Sequence, residues 1–405
     1  MTVSIAETNL PRLLGNNKVR AAFEFFRQQS AQITARQIEI CQIPAPPFGE
    51  QKRAQYFLEK FADLGFKNAK IDAEGNVLAL RAGRDRASPL LIVSAHLDTV
   101  FAAQTEIIPR FENNKIFAPG IMDDACGLTA LLALGAALEK LFIETNRSLL
   151  FVATVGEEGI GNLRGVRHLL TKGEFAGQIA AFISLDGAGA ANIVTRALGS
   201  KRYAATLAGG GGHSWLDAGQ PNPVHALGRA IAELTAFPVG AKTKTTFNVG
   251  TITGGTSVNS IPTAAAIEVD LRSESEDELN RLDDYFCRAI KNAVASENAA
   301  GGTDRTPIEL DLKLVGHRPS GVTADDSALV QLAIGATKAF GVAPHLSAAS
   351  TDANLAMSLK IPAITIGAGG TGDRMHTLDE WFDPTGREIG LNRALLLVLG
   401  YVGVV

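Results

Sequence analysis

Four short runs of the chain are apolar at nearly every position rather than at every second one. They are rich in β-branched residues and span residues 90–95, 149–155, 180–185 and 362–367. A strand that is covered on both faces of a parallel sheet needs apolar side chains on both faces, so these runs predict buried parallel strands. Helical patterns between several of them, at 127–141 and 166–171, predict a doubly wound α/β domain.

The middle third of the chain has a different pattern. Residues 308–314 alternate between apolar and polar, which is typical of a strand with one buried and one wet face. Strands predicted at 201–208, 243–253, 265–272 and 308–315, with helices at 223–236 and 276–297, give the order β-α-β-β-α-β of a ferredoxin-like unit. We therefore predict an α/β domain of residues 1–195 and 319–405, interrupted by an inserted domain of residues 196–318, which is called the lid below.

Charge and composition exclude several classes of function. A net charge of −4 offers no basic field for nucleic acid or for an anionic membrane. The N-terminal segment lacks an apolar signal-peptide core. The longest apolar stretches, 127–138 and 394–405, are shorter than the roughly 20 residues that cross a bilayer, and they predict core helices. The three cysteines form no closely spaced pair, so we expect a reducing compartment, the cytoplasm.

Acidic residues and histidine follow the predicted strands. The ligands of an α/β sheet bind outside the carboxyl ends of its strands, so the position of these side chains indicates a functional site. In chain order they are His96 and Asp98, Asp123 and Asp124, Glu157 and Glu158, Asp186, and His376.

Several carboxylates and two imidazoles at one sheet edge would repel or desolvate one another without a cation between them. Nitrogen and oxygen ligands without thiolate favour zinc, cobalt or manganese. A pair of such ions can polarise a carbonyl and activate water at neutral pH, which is what amide hydrolysis requires.

Seven motifs in this order resemble the metallopeptidase family of peptidase T, aminoacylase and acetylornithine deacetylase. The resemblance runs from about residue 40 to the end of the chain. The motifs are HLDTV, GIMDDACG, GEEG, SLDG, GGGHSW, GGTSVNSIP and MHT.

The resemblance implies a zinc-peptidase fold with two divalent ions, zinc before cobalt or manganese. His96 and Asp186 would bind one ion. Glu158 and His376 would bind the other, and Asp123 would bridge them.

It also implies how the reaction proceeds. Asp98 would orient the ring of His96. Glu157 would act as general base for a hydroxide held between the two metals, and would return the proton to the leaving amine. In this family the peptide between Asp123 and Asp124 is typically cis, which the sequence of this chain does not decide.

The lid carries further matches. His213 resembles a histidine that reaches across a dimer to the neighbouring active site and stabilises the oxyanion. Asn259 resembles a substrate-contacting amide, and Arg318 an arginine that binds a free carboxylate of the substrate. A homodimer formed through the lid is therefore expected.

The stretch around Asn259 looks closest to the peptidase T branch, which favours a di- or tripeptidase. An N-acyl or N-carbamoyl amino acid amidohydrolase would share the metal centre and is an alternative. A non-catalytic metal-binding scaffold is an alternative of another class, although it would be expected to have lost Glu157 or a metal ligand. The motifs leave open the preferred side chains and the end of the peptide from which cleavage starts.

Overall fold

The computed structural model describes residues 5–240 and 243–405. The first four residues of the N-terminal segment, for which no signal peptide is predicted, lie outside the described residues. The chain divides into two compact units, one formed by Met1–Ala197 and Val322–Val405 and the other by Leu198–Gly321. Both divisions fall within three residues of the predicted domain boundaries.

The strands of the described residues are short, and most contain three to ten residues. In chain order they are β1 (Lys70–Ile71), β2 (Val77–Arg81), β3 (Leu90–His96), β4 (Arg110–Glu112), β5 (Lys115–Phe117), β6 (Leu149–Thr154), β7 (Ile179–Leu185), β8 (Asn192–Ala197), β9 (Gly199–Ala208), β10 (Gly212–His213), β11 (Thr245–Gly254), β12 (Ser260–Ile261), β13 (Ala264–Ser273), β14 (Glu309–Arg318), β15 (Gly321–Val322), β16 (His345–Ala349), β17 (Ala363–Ile366), β18 (Thr371–Asp373) and β19 (Trp381–Asp383).

The helices alternate with these strands through much of the chain. They are α1 (Ile5–Gly15), α2 (Asn17–Gln28), α3 (Ser30–Cys41), α4 (Gln51–Asp63), α5 (Ala125–Lys140), α6 (Arg164–Thr171), α7 (Pro223–Thr235), α8 (Glu276–Ala300), α9 (Ala328–Lys338), α10 (Ala353–Ser358) and α11 (Arg387–Val402), with one 3-10 turn at Gly159–Gly161.

The large sheet of the first unit has the strand order β1-β2-β6-β3-β7-β17-β8-β15, and β16 pairs with β8. At its centre β6, β3, β7 and β17 run parallel to one another. These four are the strands predicted from the apolar runs. β2 and β8 flank them in antiparallel orientation. The predicted α/β class with a mainly parallel sheet is confirmed.

Alternate residues of the central strands face two different cores. In β3, Leu91 and Val93 pack into a cluster that includes residues of α5 and α11. Leu90 and Ile92 pack into a second cluster with residues of α6 and α10. Both faces are covered, which explains why these strands are apolar without alternation. Within 5–240 and 243–405, no helix has the length and apolar character that crossing a membrane requires.

The second unit is an antiparallel sheet of order β11-β13-β9-β14 with two helices on one face. Leu227 of α7 and Phe286 of α8 pack with Leu271 of β13 in a core of its own. The elements follow the predicted β-α-β-β-α-β order, so the ferredoxin-like fold of the insert is confirmed. Arg318 pairs with Ser200, which brings the two ends of the insert together.

Candidate metal centre

The carboxyl ends of the central strands carry the predicted site residues. His96 is the last residue of β3, and Asp186 directly follows β7. Glu157 and Glu158 lie in the loop after β6, and Asp123 precedes α5. Parallel strands place these ends at the same edge of the sheet, so the topology itself gathers the side chains.

Asp123 lies between the two predicted histidine ligands. Its Oδ1 is 2.9 Å from Nε2 of His96, and its Oδ2 is 3.0 Å from Nε2 of His376. The same nitrogen of His376 lies 3.2 Å from Oε1 of Glu158. Each oxygen of Asp123 therefore faces a different imidazole, which is the arrangement expected of a shared ligand.

Asp186 also lies close to His96. One potential ligand atom each from His96, Asp124 and Asp186 lies within 4.8 Å of the others, and the same holds for His96, Asp123 and Glu158. The structure thus brings the five predicted ligands to one place. The peptide between Asp123 and Asp124 is cis.

The electrostatics of this group show an excess of buried negative charge. Burial and the neighbouring Asp123 raise the pKa of the Asp186 carboxyl to about 7. Burial also raises the pKa of Asp124 well above its usual value. Hydrogen bonds to Asp123 and Glu158 raise the pKa of His376 to about 10. Carboxylates that outnumber the imidazoles leave charge that a divalent cation would neutralise, so this nitrogen and oxygen donor set fits a metal site.

Asp98 is fully buried, and it contacts both the imidazole ring of His96 and the loop that carries Glu157, the predicted base. Its backbone oxygen is 3.1 Å from Nδ1 of His96, and its carboxylate is 3.6 Å from the same nitrogen. The carboxylate accepts hydrogen bonds from the backbone N–H groups of Glu157 and Glu158, at 3.0 and 2.7 Å. Glu157 itself is buried. The prediction for Asp98 named only the ring, whereas the structure adds the loop.

Two further buried carboxylates at this edge are neither predicted ligands nor the predicted base. Asp124 accepts hydrogen bonds from the N–H groups of His96, Gly127 and Gly187, and so joins the ends of β3 and β7 to the start of α5. Glu380 accepts from the N–H group of Asp123. The adjacent pair in GIMDDACG could have suggested Asp124. No local pattern marks Glu380, which lies far along the chain from its partner.

The three residues predicted to contact substrate belong to the second unit. His213 and Asn259 are both exposed and lie side by side, since β10 pairs with β12 and Ser214 N–H donates to the Asn259 carbonyl at 3.0 Å. Arg318 is buried at the end of β14. The structure thus brings His213 and Asn259 together, while Arg318 lies on a different strand, and the roles of all three remain predictions.

Comparison with known proteins identifies the family. The model of "Peptidase family M20/M25/M40" matches residues 92–399. The chain belongs to this family. It is 24% identical over 357 residues to uncharacterized protein YqjE of Bacillus subtilis (strain 168), which covers 85% of this chain and 91% of that protein.

Two solved structures share the fold of the chain. A tripeptidase from Staphylococcus aureus subsp. aureus Mu50 aligns with a TM-score of 0.76 at 20% identity, over 91% of this chain and 97% of that one. A hydantoinase/carbamoylase family amidase from Burkholderia ambifaria aligns with a TM-score of 0.62 at 19% identity, over 93% and 98%. At these identities both similarities show a shared fold only, and the same fold occurs in a tripeptidase and in an amidase.

Membership of the M20/M25/M40 family confirms the predicted family and the enzyme class. The chain is a metallohydrolase that acts on amide bonds, and the cluster around Asp123 is its candidate metal site.

Proposed function

We propose that the chain is a di- or tripeptidase that works with two divalent ions, zinc in first place and cobalt or manganese otherwise. One observation carries the proposal: His96, Asp123, Glu158, Asp186 and His376 converge at the carboxyl edge of the sheet in a member of a peptidase family.

The proximity of these side chains supports the ligand roles that we propose. His96 and Asp186 would hold one ion, and Glu158 and His376 the other. Asp123 would be shared, because its two oxygens face the two histidines. When bound, the ions supply polarisation of the scissile carbonyl and acidification of the attacking water.

Glu157 is our candidate for the general base. It is buried beside the ligand Glu158, and Asp98 holds the backbone of both. Its carboxylate would accept a proton from the attacking water and donate it to the leaving amine.

His213 is our candidate for stabilising the oxyanion. Its Nδ1 accepts from the N–H groups of Trp215 and Leu216, at 3.2 and 3.4 Å. An accepting Nδ1 fixes the neutral tautomer with a proton on Nε2, which is then a donor for the developing negative charge. We propose that this donor serves the active site of a second copy, in a homodimer formed through the second unit.

Asn259 and Arg318 would bind the substrate. Asn259 directly precedes β12, the strand that pairs with the strand of His213. Its Oδ1 accepts from the hydroxyl of Ser257 at 2.6 Å, which orients the side chain. Arg318 would pair with the free carboxylate of a peptide, a task that suits a guanidinium.

The family and the TSVNSIP motif support short peptides as substrates, and a tripeptidase is among the proteins that share the fold. An N-acyl or N-carbamoyl amino acid is the second candidate, because an amidase shares the fold over a similar span. We place the enzyme in the cytoplasm, since Cys41, Cys126 and Cys287 are all free.

Hydrolysis of a substrate panel tests the proposal. Purified protein is incubated with di- and tripeptides, N-acetyl and N-carbamoyl amino acids, with and without chelator, and then with zinc, cobalt or manganese restored. We expect amino acid release from the peptides that the chelator abolishes and the metal restores. Turnover of the acylated or carbamoylated compounds alone would assign the second candidate, and metal-loaded protein inactive on every compound would contradict both.

A further inference from the structure

The loop between β18 and β19 contacts the Asp123 segment at several points. Oε1 of Glu380 accepts hydrogen bonds from the N–H groups of Met122 and Asp123, at 2.7 and 2.9 Å. Oε2 accepts from the N–H group of Gly120 at 2.9 Å. One carboxylate therefore binds the backbone of the segment that leads to Asp123.

The backbone of the same loop strengthens this attachment. The N–H group of Ala118 donates to the carbonyl oxygen of Glu380 at 3.0 Å, and β19 continues the pairing with β5. Four residues before Glu380, His376 contacts the Asp123 side chain. The loop thus contacts Asp123 twice, at its backbone through Glu380 and at its carboxylate through His376.

The chemistry of these contacts makes the arrangement specific. Glu380 is 0% exposed, and a buried carboxylate is costly unless hydrogen bonds satisfy it. The N–H groups of Gly120, Met122 and Asp123 precede α5 and belong to no strand, so they also need partners. In the observed arrangement the Glu380 carboxylate and these N–H groups satisfy one another. A displacement of either segment would leave buried polar groups unpaired.

We propose that Glu380 is a positioning residue that fixes Asp123 relative to His376, so that the two present their ligand atoms in one arrangement. The inference rests on the proposed function, because that proposal assigns both residues as ligands.

Cobalt binding to Glu380→Gln tests the inference. Glutamine keeps the size of the side chain, but its NH₂ group cannot accept a third N–H. We expect Co²⁺ affinity, measured by competition with a chelator, to fall about 10–100-fold, the usual effect of losing a residue that orients a ligand. We also expect the visible absorption of the bound cobalt to change, which a general loss of stability would not cause.

The neighbouring Asp379 provides a matched control. It lies in the same loop, is largely exposed and pairs with Arg110 at 3.0 Å. Asp379→Asn removes a carboxylate one position away and should leave both cobalt affinity and spectrum as in the wild type. Unchanged affinity and spectrum in Glu380→Gln, whatever its thermal stability, would overturn the inference.

A measurement on the wild-type protein covers the case in which Glu380→Gln does not fold. Amide hydrogen exchange at Gly120, Met122 and Asp123 should be slow even after metal removal, because Glu380 holds these groups. Rapid exchange there would reject the positioning role.

These tests stay separate from the peptide assay. Protein that binds cobalt but hydrolyses no peptide would reject the proposed function, and the comparison of Glu380→Gln with the wild type would still decide the role of Glu380. Wild-type protein that binds no cobalt would overturn both.

Discussion

Asp98 illustrates how a single residue can contact two parts of the site. Its carboxylate accepts from the N–H groups of Glu157 and Glu158, while its carbonyl oxygen faces the ring of His96. In Asp98→Asn one of the two N–H groups would face an NH₂ donor instead of an oxygen. We expect kcat/KM for peptides to fall about 10–100-fold, since the loop of the proposed base loses one anchor.

Asp85 is the matched control for Asp98. Its carboxylate also accepts from two backbone N–H groups, those of Ala87 and Ser88, but in an exposed loop. Asp85→Asn should therefore keep wild-type kcat/KM and metal content. Asp98→Asn with wild-type activity would show that the loop does not depend on the carboxylate.

The elements show what local sequence can and cannot predict. The four central strands could be predicted because burial on both faces leaves a continuous apolar run that no exposed strand would tolerate. The convergence of the acidic residues and histidines could also be predicted, because the carboxyl ends of parallel strands meet at one edge of the sheet. The hydrogen bonds of Glu380 could not be predicted, because its partners are more than 250 residues away and meet it only after folding.

The start of α5 is packed closely enough to predict the effect of a single methyl group. A Cβ on Gly127 would overlap the carbonyl oxygen of Leu185 and the carboxylate of Asp124. Gly127→Ala should push α5 away from the end of β7, next to Asp186. We expect a loss of about 1–3 kcal/mol in the free energy of unfolding, measured with urea, the usual effect of overpacking.

Gly228 provides the opposite case inside a helix. It lies within α7, and beyond its chain neighbours and the backbone of its own helix turns, a Cβ there would meet no atom within 4 Å. Gly228→Ala should stabilise the protein by about 0.5–1 kcal/mol, because alanine is the better helix former.

For Gly127→Ala, a free energy of unfolding equal to that of the wild type would mean that the start of α5 accommodates the methyl group.

At the scale of the whole molecule, the proposed chemistry is divided between two units with separate cores. The candidate metal ligands belong to the first unit. His213 lies on the exposed β10–β12 pair of the second unit, and Asn259 directly precedes β12. Large apolar side chains next to these two strands are also exposed, among them Trp215 after β10 and Val258 before β12. Exposed apolar surface beside a polar donor is consistent with contact to a second copy.

Hybrid dimers test whether His213 acts across that contact. Glu157→Gln and His213→Ala subunits should each be nearly inactive as homodimers, since one lacks the proposed base and the other the proposed oxyanion donor. In a hybrid, the site on the His213→Ala subunit has its own Glu157 and receives His213 from the other subunit. We therefore expect co-expressed, doubly tagged hybrids to regain peptidase activity.

The matched control pairs Glu157→Gln with a double variant that carries both substitutions. No site in that hybrid has Glu157, so it should stay inactive although its subunits assemble in the same way. Activity in this control would reject Glu157 as the base. Recovered activity requires an intact base and an intact oxyanion donor from different chains. Inactive hybrids in the first experiment would therefore reject the exchange of His213 between subunits. A monomer in size-exclusion chromatography would reject it as well.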